Sequence, residues 1–139
     1  AVRADVADGA QVEALIAREA ERGVARSRIV LAGFSQGGAI ALQTRRRQPE
    51  PLAAIIALSC YLPLADSFAQ ERHLASVGVP IFMAHGTSDP IVPLERGAAS
   101  RDALRAAGYA VEWHQYPMPH SANEQEIRDI AAFLKRVLN

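Results

Sequence analysis

The chain has 139 residues, 50% of them apolar and 22% charged, which suits one globular domain and excludes two packed ones. Fifteen basic side chains balance fifteen acidic ones, so no net field marks a binder of nucleic acid or of an anionic membrane. A single cysteine, Cys60, excludes an internal disulfide and a thiolate metal cluster.

Asp5, Asp8 and Glu13 stand where a secretion signal needs a basic residue and an unbroken apolar run, so a cytoplasmic location is expected. A first helical pattern covers Asp8 to Glu21. Ile29 to Ala32 is a short, continuous apolar run, the pattern of a strand buried on both faces in a parallel sheet. A helix is expected from Gln36 to Arg47, where Arg45, Arg46 and Arg47 complement the dipole at its end. Leu52 to Leu58 reads as a second buried strand; as the longest apolar stretch it is far short of the roughly 20 residues that cross a bilayer. Val79 to Ala84 reads as a third strand, and Leu94 to Ala107 as a helix closed by a left-handed Gly108. Tyr109 to Tyr116 alternates, Val111 and Trp113 on one face and Glu112 and His114 on the other, as a strand near a sheet edge does. The last helix, Glu124 to Leu138, carries Ile127, Ile130, Ala131, Leu134 and Leu138 at helical spacing, with Asn123 and Glu126 as its capping signal. This alternation implies an α/β sheet with right-handed crossovers and places ligand chemistry at the carboxyl ends of the strands.

The first strand runs through Gly33-Phe34-Ser35-Gln36-Gly37-Gly38 into a helix, the context of a nucleophile elbow. A serine at the tip of so sharp a turn is backbone-strained, and Gly33 and Gly37 remove Cβ atoms that would crowd each other. The turn exposes the Ser35 hydroxyl and aims the Gln36 N–H at a developing oxyanion. Serine needs a base, and the base an orienting acid. The third strand ends in His85-Gly86-Thr87-Ser88-Asp89-Pro90 and the fourth in Pro117-Met118-Pro119-His120-Ser121. The order Ser, Asp, His gives Ser35 as nucleophile, Asp89 as orienting acid and His120 as base. His85 is a rival base better suited to a structural hydrogen bond, and Asp66 is the substitute for Asp89. His73 and His114 read as ordinary surface or half-buried histidines, and Asp102 and Asp129, within helices, as solvated charges. Cys60 reads as a small apolar filler. Tyr61-Leu62-Pro63-Leu64, after the second strand, suits either loop packing or contact with an acyl chain.

Four segments in order, Gly33 to Gly38, Leu58 to Leu64, His85 to Pro93 and Met118 to Ser121, resemble the phospholipase/carboxylesterase family of bacterial carboxylesterases and acyl-protein thioesterases. The resemblance implies an α/β-hydrolase-type parallel sheet with helices on both faces. Residues 1–139 then form a single partial domain, the C-terminal portion with about four strands. It also implies cofactor-free, metal-free hydrolysis of short or medium acyl esters, with thioesters, acylated proteins or lysophospholipids as related substrates. Ser35, Asp89 and His120 match the family triad, Gln36 one oxyanion amide, and Tyr61 and Leu62 the apolar substrate-binding loop. Two departures stand out. Pro119 replaces the glycine that often precedes the triad histidine, and no His-Gly-rich loop supplying a second oxyanion amide precedes Asp5. The strand before Ser35, central in the family, is therefore expected to carry an unpaired apolar edge. That edge would pair with another copy or with an N-terminal segment, and the alternative reading is a catalytically silent fragment acting through it.

Overall fold

The computed structural model describes residues 9–45, 48, 50–62 and 78–139. In chain order these form α1 (Gly9–Glu21), a single 3-10 turn (Arg26–Arg28), β1 (Val30–Phe34), α2 (Gln36–Arg45), β2 (Ala54–Leu58), β3 (Ile81–Gly86), α3 (Leu94–Ala106), β4 (Val111–Tyr116) and α4 (Glu124–Leu138). The strands lie in the order β1-β2-β3-β4, every pair parallel. Phe34, Leu58, Ala84 and His114 share one row across the sheet, so all four carboxyl ends open on the same edge.

Side-chain alternation divides the core into two. Ile55, Ala57, Ile81 and Met83 point toward Val12 and Ile16 of α1, Ile40 and Leu42 of α2, and Leu104 of α3. Ala54, Ile56, Phe82 and Ala84 point the other way, toward Phe133, Ile130, Leu134 and Val137 of α4. Helices thus cover both faces, and the central strands β2 and β3 are almost wholly buried, which is why they are apolar up to His85 near the end of β3.

Three expectations change. β1 is not buried on both faces: Ala32 is exposed and Phe34 is 41% exposed. It is an edge strand, and α4, the helix of that face, packs over β3 and β4. β2, β3 and β4 also begin two residues later than the expected runs, Leu52 and Val79 being buried in the approaches to β2 and β3, while β1 and β3 run two residues further and β2 and β4 end as expected. Thirdly, the inward stripe of α4 is Glu126, Ile130, Phe133, Leu134 and Val137, with Ile127 at 56% exposure. Gly108 takes the expected left-handed conformation (φ 93°) and ends α3. Arg46, Arg47 and residues 63–77, with Asp66 and His73, lie outside the described residues. No described helix is long and apolar enough to cross a membrane.

Candidate active site at the carboxyl edge of the sheet

Ser35 follows β1 directly and has φ 54°, a left-handed conformation that costs a non-glycine residue of order 1–3 kcal/mol. It is fixed from both sides: its N–H donates to Leu58 O at 2.8 Å, and its carbonyl accepts the first helical bond, from Ala39 N–H at 3.1 Å. Gln36 opens α2. The two glycines of the motif are not equivalent. A Cβ on Gly33 would collide with the Gly37 carbonyl and the Gly38 nitrogen, whereas one on Gly37 would meet nothing within 4 Å. Gly38 is constrained instead by Cys60, whose Sγ would lie 2.9 Å from an added Cβ. Burial pushes the Cys60 thiol up to about 12, so it stays protonated filler.

Asp89 sits in a turn just beyond β3. Its Oδ1 accepts from Ile91 N–H at 2.8 Å and Val92 N–H at 2.9 Å; its Oδ2 lies 2.7 Å from His120 Nδ1. Burial opposes ionisation of this fully covered carboxyl, but the bonds from His120, Val92 and Ile91 together outweigh it and hold Asp89 below the usual carboxylate value. A carboxylate can only accept, so Nδ1 carries the hydrogen and Nε2 is the free nitrogen of a neutral His120.

The loop bearing His120 crosses the end of β3. Thr87 N–H donates to Tyr116 O at 2.8 Å and Ser88 N–H to Met118 O at 3.1 Å. Gly86 permits this crossing, since a Cβ there would strike the carbonyl oxygens of Met118 and Pro119. Pro119 has no N–H to donate, and the bonds of the crossing fall on the carbonyls of Tyr116 and Met118. Three strand spacings, about 14 Å, separate β4 from β1, and four residues span about that distance only when extended. The His120 ring nonetheless reaches Phe34, centroids 4.7 Å apart, beside Ser35. Ser35, Asp89 and His120, distant in sequence, therefore converge on one sheet edge.

The remaining candidates separate. His85 is buried with Nε2 2.7 Å from Val92 O, so its exchangeable position is occupied. His114 faces α4, between Glu112 Oε1 (2.9 Å) and Asp129 Oδ2 (3.7 Å). Asp129 is not a solvated charge, for it accepts from Tyr116 Oη at 2.7 Å. Asp102 pairs with Arg101 on the surface. Tyr61 lies under the Arg96 guanidinium, 3.7 Å from the ring centroid. Leu62 is buried, with its N–H on Ser100 Oγ at 2.7 Å, and Tyr61 and Leu62 line a groove of about 200 Å³ against α3. Pro63 and Leu64 lie outside the described residues.

Ser59 escaped the sequence reading, and Glu126 was read there only as part of a capping signal. Ser59, next to Ser35 in register, has φ 49° and a buried hydroxyl without a hydrogen-bond partner. Glu126 is wholly buried, neither carboxylate oxygen has a partner, and burial pushes its carboxyl up to about 6. Its place on the stripe with Ile130 and Phe133 was the available signal.

The model for a family described as Phospholipase/Carboxylesterase matches residues 5–138, nearly the whole chain. The chain belongs to this family. An acyl-protein thioesterase 1 of Mycosarcoma maydis is 47% identical over 116 residues, covering 80% of this chain and 48% of that protein. One from Gibberella zeae is 42% identical over 127 residues, covering 89% and 54%. The crystal structure of Arabidopsis thaliana SOBER1 superposes with a TM-score of 0.90 at 31% identity, covering 94% of this chain and 63% of that one. The chain spans about half the length of the curated relatives it matches.

Proposed function

We propose that residues 1–139 carry the nucleophile, base and orienting acid of a family hydrolase that cleaves acyl esters through an acyl-enzyme, as one partial α/β-hydrolase domain. The observation that supports this most is the 2.7 Å contact of His120 Nδ1 with the buried Asp89 carboxylate, beside a serine in a strained strand-to-helix turn. In this reading Nε2 of His120 takes the Ser35 proton as Oγ attacks the acyl carbonyl. The Gln36 N–H at the start of α2 stabilises the oxyanion. His120 then protonates the leaving alcohol or thiol, and the C–O or C–S bond breaks. A water, deprotonated by the same nitrogen, attacks the acyl-serine; collapse of that intermediate frees the acid and returns the proton to Ser35. Asp89 stays ionised throughout, orienting the ring and offsetting the imidazolium charge.

Short and medium acyl esters are the substrates, Tyr61 and Leu62 border the acyl path, and the names of the fungal relatives favour thioesters as a second substrate class. Hydrolysis of p-nitrophenyl butyrate and labelling by a fluorophosphonate are the tests. Both are expected to vanish in Ser35→Ala, and equal rates for the two proteins would refute the assignment.

A second reading rests on the open edge of β1. Ile29 O and Ser35 N–H bond toward β2, so by alternation the backbone groups of Val30, Ala32 and Phe34 face outward, where no described strand pairs with them. A second copy docking there would make the chain an edge-pairing module. Light scattering after size exclusion decides it: a monomer at all concentrations rejects this reading.

A further inference from the structure

His85, next to last in β3, has 1% of its surface exposed, and its ring is committed on several sides. Nε2 lies 2.7 Å from Val92 O. A carbonyl oxygen only accepts, so Nε2 carries the hydrogen and a neutral ring leaves Nδ1 bare. Val92 is thereby gripped at both of its backbone groups: its carbonyl by His85, and its N–H by Asp89 Oδ1 at 2.9 Å. The same Nε2 stands 3.6 Å from Asp89 Oδ2, the oxygen that takes His120. The ring has little freedom to turn. α3 approaches so closely that a Cβ on Gly97 would lie 2.5 Å from Nδ1, and Trp113 stacks on the other side at 6.3 Å between centroids and 21° between planes.

We propose that His85 is a positioning residue for the base. Its Nε2–H, anchored on the Val92 carbonyl, fixes the turn whose amides hold Asp89 and so fixes His120 with its hydrogen on Nδ1. This rests on the assignment of Asp89 and His120 as orienting acid and base. The physical reason is that a carboxylate selects one imidazole tautomer only while its own oxygens are pinned. Oδ1 is pinned by two amides of this turn, and Val92 supplies one of them. Freed of His85, the turn can rotate the carboxylate off Nδ1, and His120 then populates the Nε2–H form, which cannot accept a proton from serine.

Long-range ¹H–¹⁵N NMR of the histidine rings in the full chain at neutral pH reads this directly, without requiring turnover. The wild type is expected to show His85 as the Nε2–H tautomer and His120 as Nδ1–H. In His85→Asn, whose amide reaches only to the Nδ1 position, His120 is expected to become a mixture of tautomers. In His85→Gln, whose amide can occupy the Nε2 position, the single Nδ1–H form is expected to return. A purely structural role for His85 would lower stability in both variants and leave the His120 tautomer of the folded protein untouched. The proposal is overturned by an unprotonated Nε2 on wild-type His85, a result that needs no variant to fold, or by an unmixed Nδ1–H His120 in folded His85→Asn. Fluorophosphonate labelling of Ser35, run on the same samples, separates the two levels. A wild type with the expected tautomers that fails to label refutes Ser35 as nucleophile and leaves the His85 coupling standing.

Discussion

Gly33 and Gly37 look interchangeable in the motif, yet their surroundings predict opposite outcomes. Gly33→Ala forces a Cβ into the Gly37 carbonyl across the elbow and is expected to cost about 3 kcal/mol or to prevent folding. Gly37→Ala adds a methyl group to open space inside α2 and is expected to be neutral or to stabilise by about 0.5–1 kcal/mol. Urea denaturation of the two variants checks the pair. At Asp89, replacement by Asn leaves the shape but offers His120 an amide that need not accept its Nδ1–H; ester hydrolysis is expected to fall about 10⁴-fold. The two buried carboxyls also give stability opposite pH trends. The Asp89 pKa is depressed, so its contribution is full above the ordinary carboxylate value and is lost as pH falls through its lower folded value. That of Glu126 is raised to about 6, so its contribution is full below its ordinary 4.5 and is lost as pH rises through about 6. Glu126→Gln is therefore expected to gain stability relative to wild type at pH 8 but not at pH 4, seen as a pH-dependent difference in urea midpoints. The motif residues were legible in the sequence because a strained turn permits few spellings. The burial of Glu126, read as a capping residue, was not, since an apolar stripe is read from apolar residues and a buried acid interrupts it.

At the level of elements, α4 shows how far periodicity carries. Its bounds follow from the Asn123 cap, whose Oδ1 accepts from Glu126 N–H at 2.9 Å. Asn123→Ala is expected to lower stability by about 1 kcal/mol, measured by thermal unfolding. Its facing does not follow from the residues counted. Ile127 looked like a core position, but the helix turns its Phe133 face to Phe82, ring centroids 5.4 Å apart, and leaves Ile127 outside. Which of two overlapping stripes faces inward depends on the partner surface, and the chain does not state that locally. β4 makes the same point. Its polar alternate positions, read as the mark of a strand near a sheet edge, lie on a face that meets α4 through Tyr116 to Asp129 and Arg136 to Glu112. Burial and the bond to Asp129 raise the Tyr116 pKa, keeping that hydroxyl a donor.

For the whole molecule, the parallel pairing was legible because each strand-helix alternation implies a right-handed crossover, whereas helices on both faces were implied by the family resemblance: α2 and α3 pack on one face and α4 on the other. The exposure of β1 could not be read from its own apolar run, because an edge is a property of neighbours. Hydrogen exchange should record that edge. The amides of Leu31, Gly33 and Ser35, directed at β2, are expected to be protected, and those of Ala32 and Phe34 to exchange rapidly in a monomer. The crossing at Gly86 has a mechanical consequence as well. The loops after β3 and β4 are joined by Thr87 to Tyr116, Ser88 to Met118 and Asp89 to His120, so His120 and Asp89 ride on one body. Ser35 rides on another, tied at its N–H to the end of β2. In the proposed triad, a displacement of the joined loops relative to the elbow would change the separation of His120 from Ser35 more than that of His120 from Asp89.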